Sequence, residues 1–256
     1  MSITHVQEAS NTSGGNTTGS LSVSFSPTVA GNLLVLTVVT VGLPLVGGGI
    51  PCTVSDGSNT YVDSGVGMQG WFWEISYIPL TAGGAIQTFY VKDAASVNSV
   101  TVSTSYTDDG GIGGVFFHEY SGVDIVSPLD GHCSSNNLSN YNPTSSTIAT
   151  TGTDLIYCAG LTGNTGSPSA GSGFTGLQSG SWSVSGFDYP YQGYVATCYF
   201  LEEHVLSVAV GTNTVGMNIG HGTGGSSINY GSILGTAFKA ALSNLVDPSG
   251  MTGMVW

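Results

Sequence analysis

The 256-residue chain contains no arginine and only two lysines, Lys92 and Lys239, against 15 aspartates and glutamates, giving a formal net charge of −13. Phosphate affinity comes from Lys and Arg displacing condensed counterions, so nucleic acid is excluded as a partner. The same shortage excludes adhesion to anionic membrane surfaces. Charged residues of both signs make up 7% of the chain, and no stretch joins a 3.6-residue apolar period to Ala, Leu, Glu or Lys enrichment. Helix is therefore confined at most to a short turn at Phe238-Lys-Ala-Ala-Leu-Ser-Asn-Leu.

The longest apolar run, Leu33 to Val46, is too short to span a bilayer as a helix, is β-branched and contains Pro44. It reads as a buried strand leading into a turn, so no membrane insertion is expected. Met1–Glu8 shows neither the basic nor the apolar region of a secretory signal. The four cysteines, Cys52, Cys133, Cys158 and Cys198, form no CxxC and no Cys-His spacing of the zinc type. The glycines of Gly220-His-Gly-Thr-Gly-Gly come without the Lys of a phosphate loop, and no Gly-x-Ser-x-Gly elbow is present.

What the chain has is 40 glycines, 40% hydrophobic residues and 10% aromatics. At this length it can bury a full core without metal or disulfide. Runs of strand composition recur at short intervals, among them Ile3–Ala9, Leu21–Ser26, Asn32–Val41, Ser99–Tyr106, Gly114–Tyr120, Asp154–Leu161, Phe174–Gln178, Ser181–Ser185, Tyr194–Glu202, Val205–Val210 and Ser232–Ala241. Many alternate apolar and polar, as in Leu21-Ser-Val-Ser-Phe-Ser, and Gly-rich turns such as Asp56-Gly-Ser-Asn and Asp108-Asp-Gly-Gly separate them. The pattern predicts an all-β fold, an antiparallel sandwich or barrel. The Gly/Ser-rich stretches are short and flanked by strands, which predicts a single domain over 1–256 with a core of about 3–241 and a tail at 242–256. The runs AGNLLVLTVVT and TGTDLIYCAGL share a Gly, a polar pair and an apolar strand, as corresponding strands of two packed sheets would.

Several of these segments together resemble a sandwich module of bacterial surface proteins and phage virion proteins. They are Ala30-Gly-Asn-Leu-Leu-Val-Leu, Val54-Ser-Asp-Gly-Ser-Asn-Thr-Tyr, Trp71–Tyr77, His118-Glu-Tyr-Ser-Gly-Val-Asp followed by Pro128-Leu-Asp-Gly, Thr153-Asp-Leu-Ile-Tyr, Gly171-Ser-Gly-Phe-Thr and Leu234-Gly-Thr-Ala-Phe-Lys-Ala. The likeness spans roughly residues 3–241 and implies a jelly-roll-like β-sandwich used for display or adhesion, with no catalytic residues to carry over. The chain departs from it in its cysteines and in a long loop at Ile125–Pro143.

Candidate chemistry is sparse. His118 and Glu119, with His132 and Asp130, could form a general acid/base set; the simpler reading makes Glu119 a strand residue hydrogen-bonded to loop backbone. A metal set of His118, His132, His204 and His221 lacks a close pair. No cofactor is expected, and Ca2+ is the one ion with ligands on offer, at Asp56, Asn59 and Asp63, although Asp56–Asn59 also reads as a turn bonding its own backbone. Cys158 and Cys198 lie in apolar strands, leaving Cys52–Cys133 as the disulfide pairing to consider. Trp182, Tyr189, Tyr191 and Tyr194 gather in an aromatic segment suited to stacking on a sugar or to a subunit contact. Val255 and Trp256, in an apolar tail, are expected to dock on a neighbouring chain.

The expectation is thus a non-enzymatic structural protein of a virion or cell surface, of the phage decoration, head-fibre or tail type. Its partners would be copies of itself and other structural proteins of the particle. The alternative is a carbohydrate-binding or adhesin module of an extracellular protein, with glycans as ligands.

Overall fold

A computed structural model describes residues 2–13, 19–42, 50–65, 69–74, 81–105, 110–137, 146–163, 166–185, 195–220 and 231–242. All regular structure among them is strand, paired antiparallel, and the expected β-sandwich is formed. One large sheet contains β1 (Thr4–Thr12), β3 (Leu33–Gly42), β5 (Val62–Asp63), β6 (Gln69–Glu74), β7 (Thr81–Val91) and β9 (Gly110–Ser121), in the order β1-β9-β3-β7-β5 with β6 also on β7. The other contains β10 (Leu129–Asn137), β12 (Asp154–Gly163), β14 (Thr175–Ser185), β15 (Val195–Val208) and β18 (Gly231–Lys239), in the order β10-β18-β12-β15-β14. Three small sheets complete the set: β2 (Ser20–Ser24), β8 (Ser99–Ser103) and β4 (Thr53–Ser55); β11 (Ser146–Thr150) with β16 (Gly211–Val215); and β13 (Gly166–Ser169) with β17 (Asn218–Gly220).

Side-chain alternation sorts the apolar residues into stacked layers. On β3, Leu33, Val35, Val39 and Val41 face the second large sheet and pack with Phe116, Leu155, Leu161, Phe200, Leu234 and Phe238. The intervening Leu34, Leu36 and Val38 face the β2-β8-β4 sheet and pack with Val23, Val100, Val102 and Phe117. On the far side, Ile156, Cys158, Ile233 and Ala237 pack with Ile148 and Val215 of the small sheets and with Met217 between β16 and β17. A strand covered on both faces gains from an unbroken apolar sequence, which is why LLVLTVV reads as a run. Each Leu or Val so buried contributes about 1.5–3 kcal/mol.

The two large sheets are wired alike. In each, the half's first strand pairs with its last, the last with the third, and the third with the strand of the following hairpin. The registers agree in detail: His5 opposite Tyr120 and Leu129 opposite Phe238 are each followed by a one-residue register shift, and Leu33 and Leu155 lie on the other side of that same Tyr120 or Phe238. AGNLLVLTVVT and TGTDLIYCAGL thus supply β3 and β12, the corresponding central strands. The halves are joined where Asp124 N–H donates to Lys239 O and Ala241 N–H to Gly122 O, at 2.9 and 2.8 Å. Gly122 has φ of +77°, and a Cβ there would lie 2.3 Å from the Ser2 carbonyl oxygen, so this join requires glycine.

Some boundaries differ from the sequence reading. Phe174–Gln178 and Ser181–Ser185 fuse into β14, and Val205–Val210 continues the preceding run as β15. The expected loop at Ile125–Pro143 contains β10, an edge strand whose LDGHCSSNN shows little apolar alternation because it pairs on one side only. Phe238 and Lys239 end a strand rather than start a helical turn.

Candidate functional site

Among the described residues, the inter-sheet core contains a cluster of polar, hydrogen-bonded side chains. His118 on β9 is 0% exposed, and its Nε2 lies 2.8 Å from Oε2 of Glu202 on β15, also 0% exposed. The Tyr157 hydroxyl on β12 donates to Glu202 Oε1. Thr37 Oγ1 lies 2.7 Å from the Tyr157 oxygen and 3.2 Å from Thr88 Oγ1. With Tyr157 donating to Glu202, the threonines align as donors behind it, so protons from both sheets converge on one buried carboxyl group. Such a network is stable only while each member is paired.

Toward the edge the cluster continues through histidines. His118 Nδ1 lies 3.2 Å from His5 Nε2 and 3.8 Å from Glu8 Oε2, and Glu8 is 42% exposed. The His5 ring stands 5.1 Å edge-on from that of His204, whose Nδ1 lies 3.0 Å from the Tyr120 hydroxyl. Residues three apart on a strand point to opposite faces, yet His5 and Glu8 share one. The register shift between His5 and Gln7 resets the alternation, as a β-bulge does. Edge strand β1 therefore delivers two ligand-type side chains to one buried histidine.

The electrostatics favour neutral groups. Burial, then the His5 and His118 rings, pushes His204 down to about 4. Burial and His118 also lower His5, against a smaller opposing pull from Glu8 and the Gln7 backbone. Tyr120 and Tyr157 are held well above the usual phenol range by burial and then by Glu202. At neutral pH, His5 and His204 are thus uncharged imidazoles with a lone pair each, His204 buried and His5 half-buried. Among the described residues, His5, Glu8 and His118 are the group whose ligand atoms could hold a metal, lying within 4.8 Å of one another.

The sequence grouped His118 and Glu119 with His132 and Asp130, and His118 with His132, His204 and His221, of which His221 lies outside the described residues. Asp130 on β10 instead accepts from the Thr151 N–H and hydroxyl and lies 3.7 Å from Lys239 Nζ. Beside it, burial and then the Asp130 carboxyl raise Asp154 to about 7. His5 and Glu8 escaped notice because more than a hundred residues separate them from His118, and the bulge that aligns them leaves no mark in composition. Glu119 points the other way from its neighbour His118 and accepts from Val29 N–H, Asn32 Nδ2 and Gln7 Nε2 at 2.8, 2.7 and 2.6 Å, the loop-bonding role expected of it.

The other candidates fall as follows. Trp182 is 2% exposed, against Phe116 and Phe200, so its ring serves the core and offers no face to a sugar or a neighbouring chain. Alternation on β14 turns it inward, and Gly114 makes room: a Cβ there would meet the indole at 2.6 Å. Tyr189, Tyr191, Tyr194, Val255 and Trp256 lie outside the described residues. Asp56 accepts from Ser58 and Asn59 N–H, Asn59 Nδ2 and the Tyr61 hydroxyl, which makes Asp56–Asn59 a self-bonded turn. Asp63 is occupied separately, by Gly65 N–H and Gln87 Nε2. Cys52 and Cys133 are free thiols in different cores, so the bridge considered between them is not formed. No family model matches the chain, and no curated protein or solved structure matches it at a significant level.

Proposed function

We propose that the chain is a non-enzymatic structural protein of a virion or cell surface, a jelly-roll-like unit that works as one subunit of a larger assembly. The observation that supports this best is the outer face of the β2-β8-β4 sheet. Val23, Val54, Val100 and Val102 turn into the core, which leaves Ser20, Ser22, Ser24, Thr53, Ser55, Ser99, Thr101 and Ser103 on the other side. Each of these outward side chains is a hydroxyl, linked across strands as in Ser22 to Thr101 at 2.7 Å and Ser20 to Ser103 at 3.2 Å. On a chain of charge −13, a flat neutral face is where acidic copies can approach without like-charge repulsion.

Sedimentation velocity from nanomolar to micromolar chain, with and without Ca2+, tests this. A trimer or larger closed assembly is expected, and Ser22→Glu with Thr101→Glu should shift it toward monomer. A persistent monomer retained on immobilised glycan would replace this reading with the adhesin one.

A further inference from the structure

We propose that His5 Nε2, His118 Nδ1 and Glu8 Oε2 form a binding site for a divalent transition-metal ion, with Zn2+ the ion it fits. The argument begins with protons. The Glu202 carboxyl already accepts from Tyr157, so the proton on His118 belongs at Nε2, facing Glu202. His5 hydrogen-bonds the Gln7 backbone, and a neutral ring has one N–H to give. The two remaining nitrogens therefore turn lone pairs toward each other at 3.2 Å. Two nitrogens bound to one tetrahedral zinc at the usual bond length lie about 3.3 Å apart. The spacing is that of two ligands around a shared cation.

The surroundings match as well. A metal-bound histidine ordinarily donates its other N–H to a carboxylate or carbonyl, and both rings have such a partner, Glu202 for His118 and the Gln7 backbone for His5. Glu8 brings an anionic oxygen 3.8 Å from His118 Nδ1, and its 42% exposure leaves a path from solvent. Two imidazoles and one carboxylate suit zinc and its neighbours, whereas Ca2+ prefers six to eight oxygens. The ion would tie edge strand β1 through His118 and Glu202 to the opposite sheet, with a fourth position open to water.

The test uses the full, untagged chain, dialysed against chelator and then titrated with ZnCl2 alone by calorimetry, with Co2+ absorption spectra as the geometric readout. One Zn2+ per chain is expected, with tetrahedral Co2+ bands, a rise in Tm and no competition from excess Ca2+. Glu8→Gln and His5→Gln lie at the accessible edge and should fold, as circular dichroism will verify. They should weaken binding by at least about tenfold and erase the Co2+ bands. Saturation at less than one equivalent with no Tm change, or undiminished binding by both variants, would overturn the assignment and leave the 3.2 Å contact as a shared proton.

Discussion

The two ends of the inter-sheet core are built on the same register and filled with opposite chemistry. At one end, His5 sits opposite Tyr120, and Tyr157 opposite His204, with the Tyr120 and His204 rings 5.8 Å apart. At the other, Leu129 sits opposite Phe238, and Val35 opposite Tyr90, with the Phe238 and Tyr90 rings 5.5 Å apart. The correspondence continues inward, Thr236 holding the place of His118 and Thr88 that of Glu202. Since the second end closes with Leu129, Phe238, Val35, Tyr90 and two threonines in these places, the fold itself does not require the histidines, Tyr120, Tyr157 or Glu202 at the first. A buried hydrogen-bonded network that a scaffold can do without points to a role added to it.

The sharpest way to break this comparison is to remove the acceptor at the centre of the polar end. Glu202→Leu leaves the His118 N–H buried without its acceptor and the Tyr157 hydroxyl with Thr37 alone, and should cost about 3–5 kcal/mol in urea unfolding. Trp182→Ala opens a cavity in the shared core and should cost about 3–5 kcal/mol by the same measurement, without altering glycan retention. Copying the apolar end is the milder experiment. The triple variant His5→Leu, Tyr120→Phe, His204→Tyr should stay folded within about 1.5 kcal/mol of the parent, because volume is nearly conserved. If it fails to fold while Phe238→Tyr is tolerated, the ends are not equivalent. Tyr157→Phe removes one link and should cost about 1–2 kcal/mol.

The smallest effect expected is on pH dependence, where the ends oppose each other. His204, lowered from 6.5 to about 4, is neutral when folded, so its contribution is lost as pH falls through that interval. Asp154, raised from 3.8 to about 7, binds its proton more tightly when folded, so its contribution is lost as pH rises through that range. Glu203, raised from 4.5 to about 7 mainly by burial, acts with Asp154. With Asp154 and Glu203 together opposing His204, the parent profile of Tm against pH between 4 and 7 should descend. Asp154→Asn should flatten it, leaving Glu203 against His204, and His204→Tyr should steepen the descent; parallel profiles would show that neither group is shifted.

Most strands of each half, though not the order in which they pair, were legible in the chain. Leu33–Val41 and Asp154–Leu161 announced both their burial and their kinship, because a strand covered on two faces cannot disguise its composition. The Asp56 turn and the Glu119 loop contact were legible too, since local hydrogen bonding follows from residue type. The polar cluster was not. It depends on a one-residue bulge in β1 and on pairings across more than a hundred positions, neither of which sets any local period. Trp182 misled for a related reason: its neighbours Ser181 and Ser183 are as polar as those of a loop, and parity on β14 became visible only with the glycines opposite.

The placement of β9 and β18 inside their sheets, each between its half's first and third strands, has a consequence for how the chain is made. On the ribosome, β1 and β3 emerge early but share no edge; they wait for Gly110–Ser121 to be threaded between them. The second sheet waits again, for Gly231–Lys239. Folding therefore proceeds in two delayed closures, each a long-range pairing that is slow and leaves strand edges bare meanwhile. A stalled chain ending before residue 231 should carry a closed first sheet and an open second one, the form of this protein most prone to pair with a stranger.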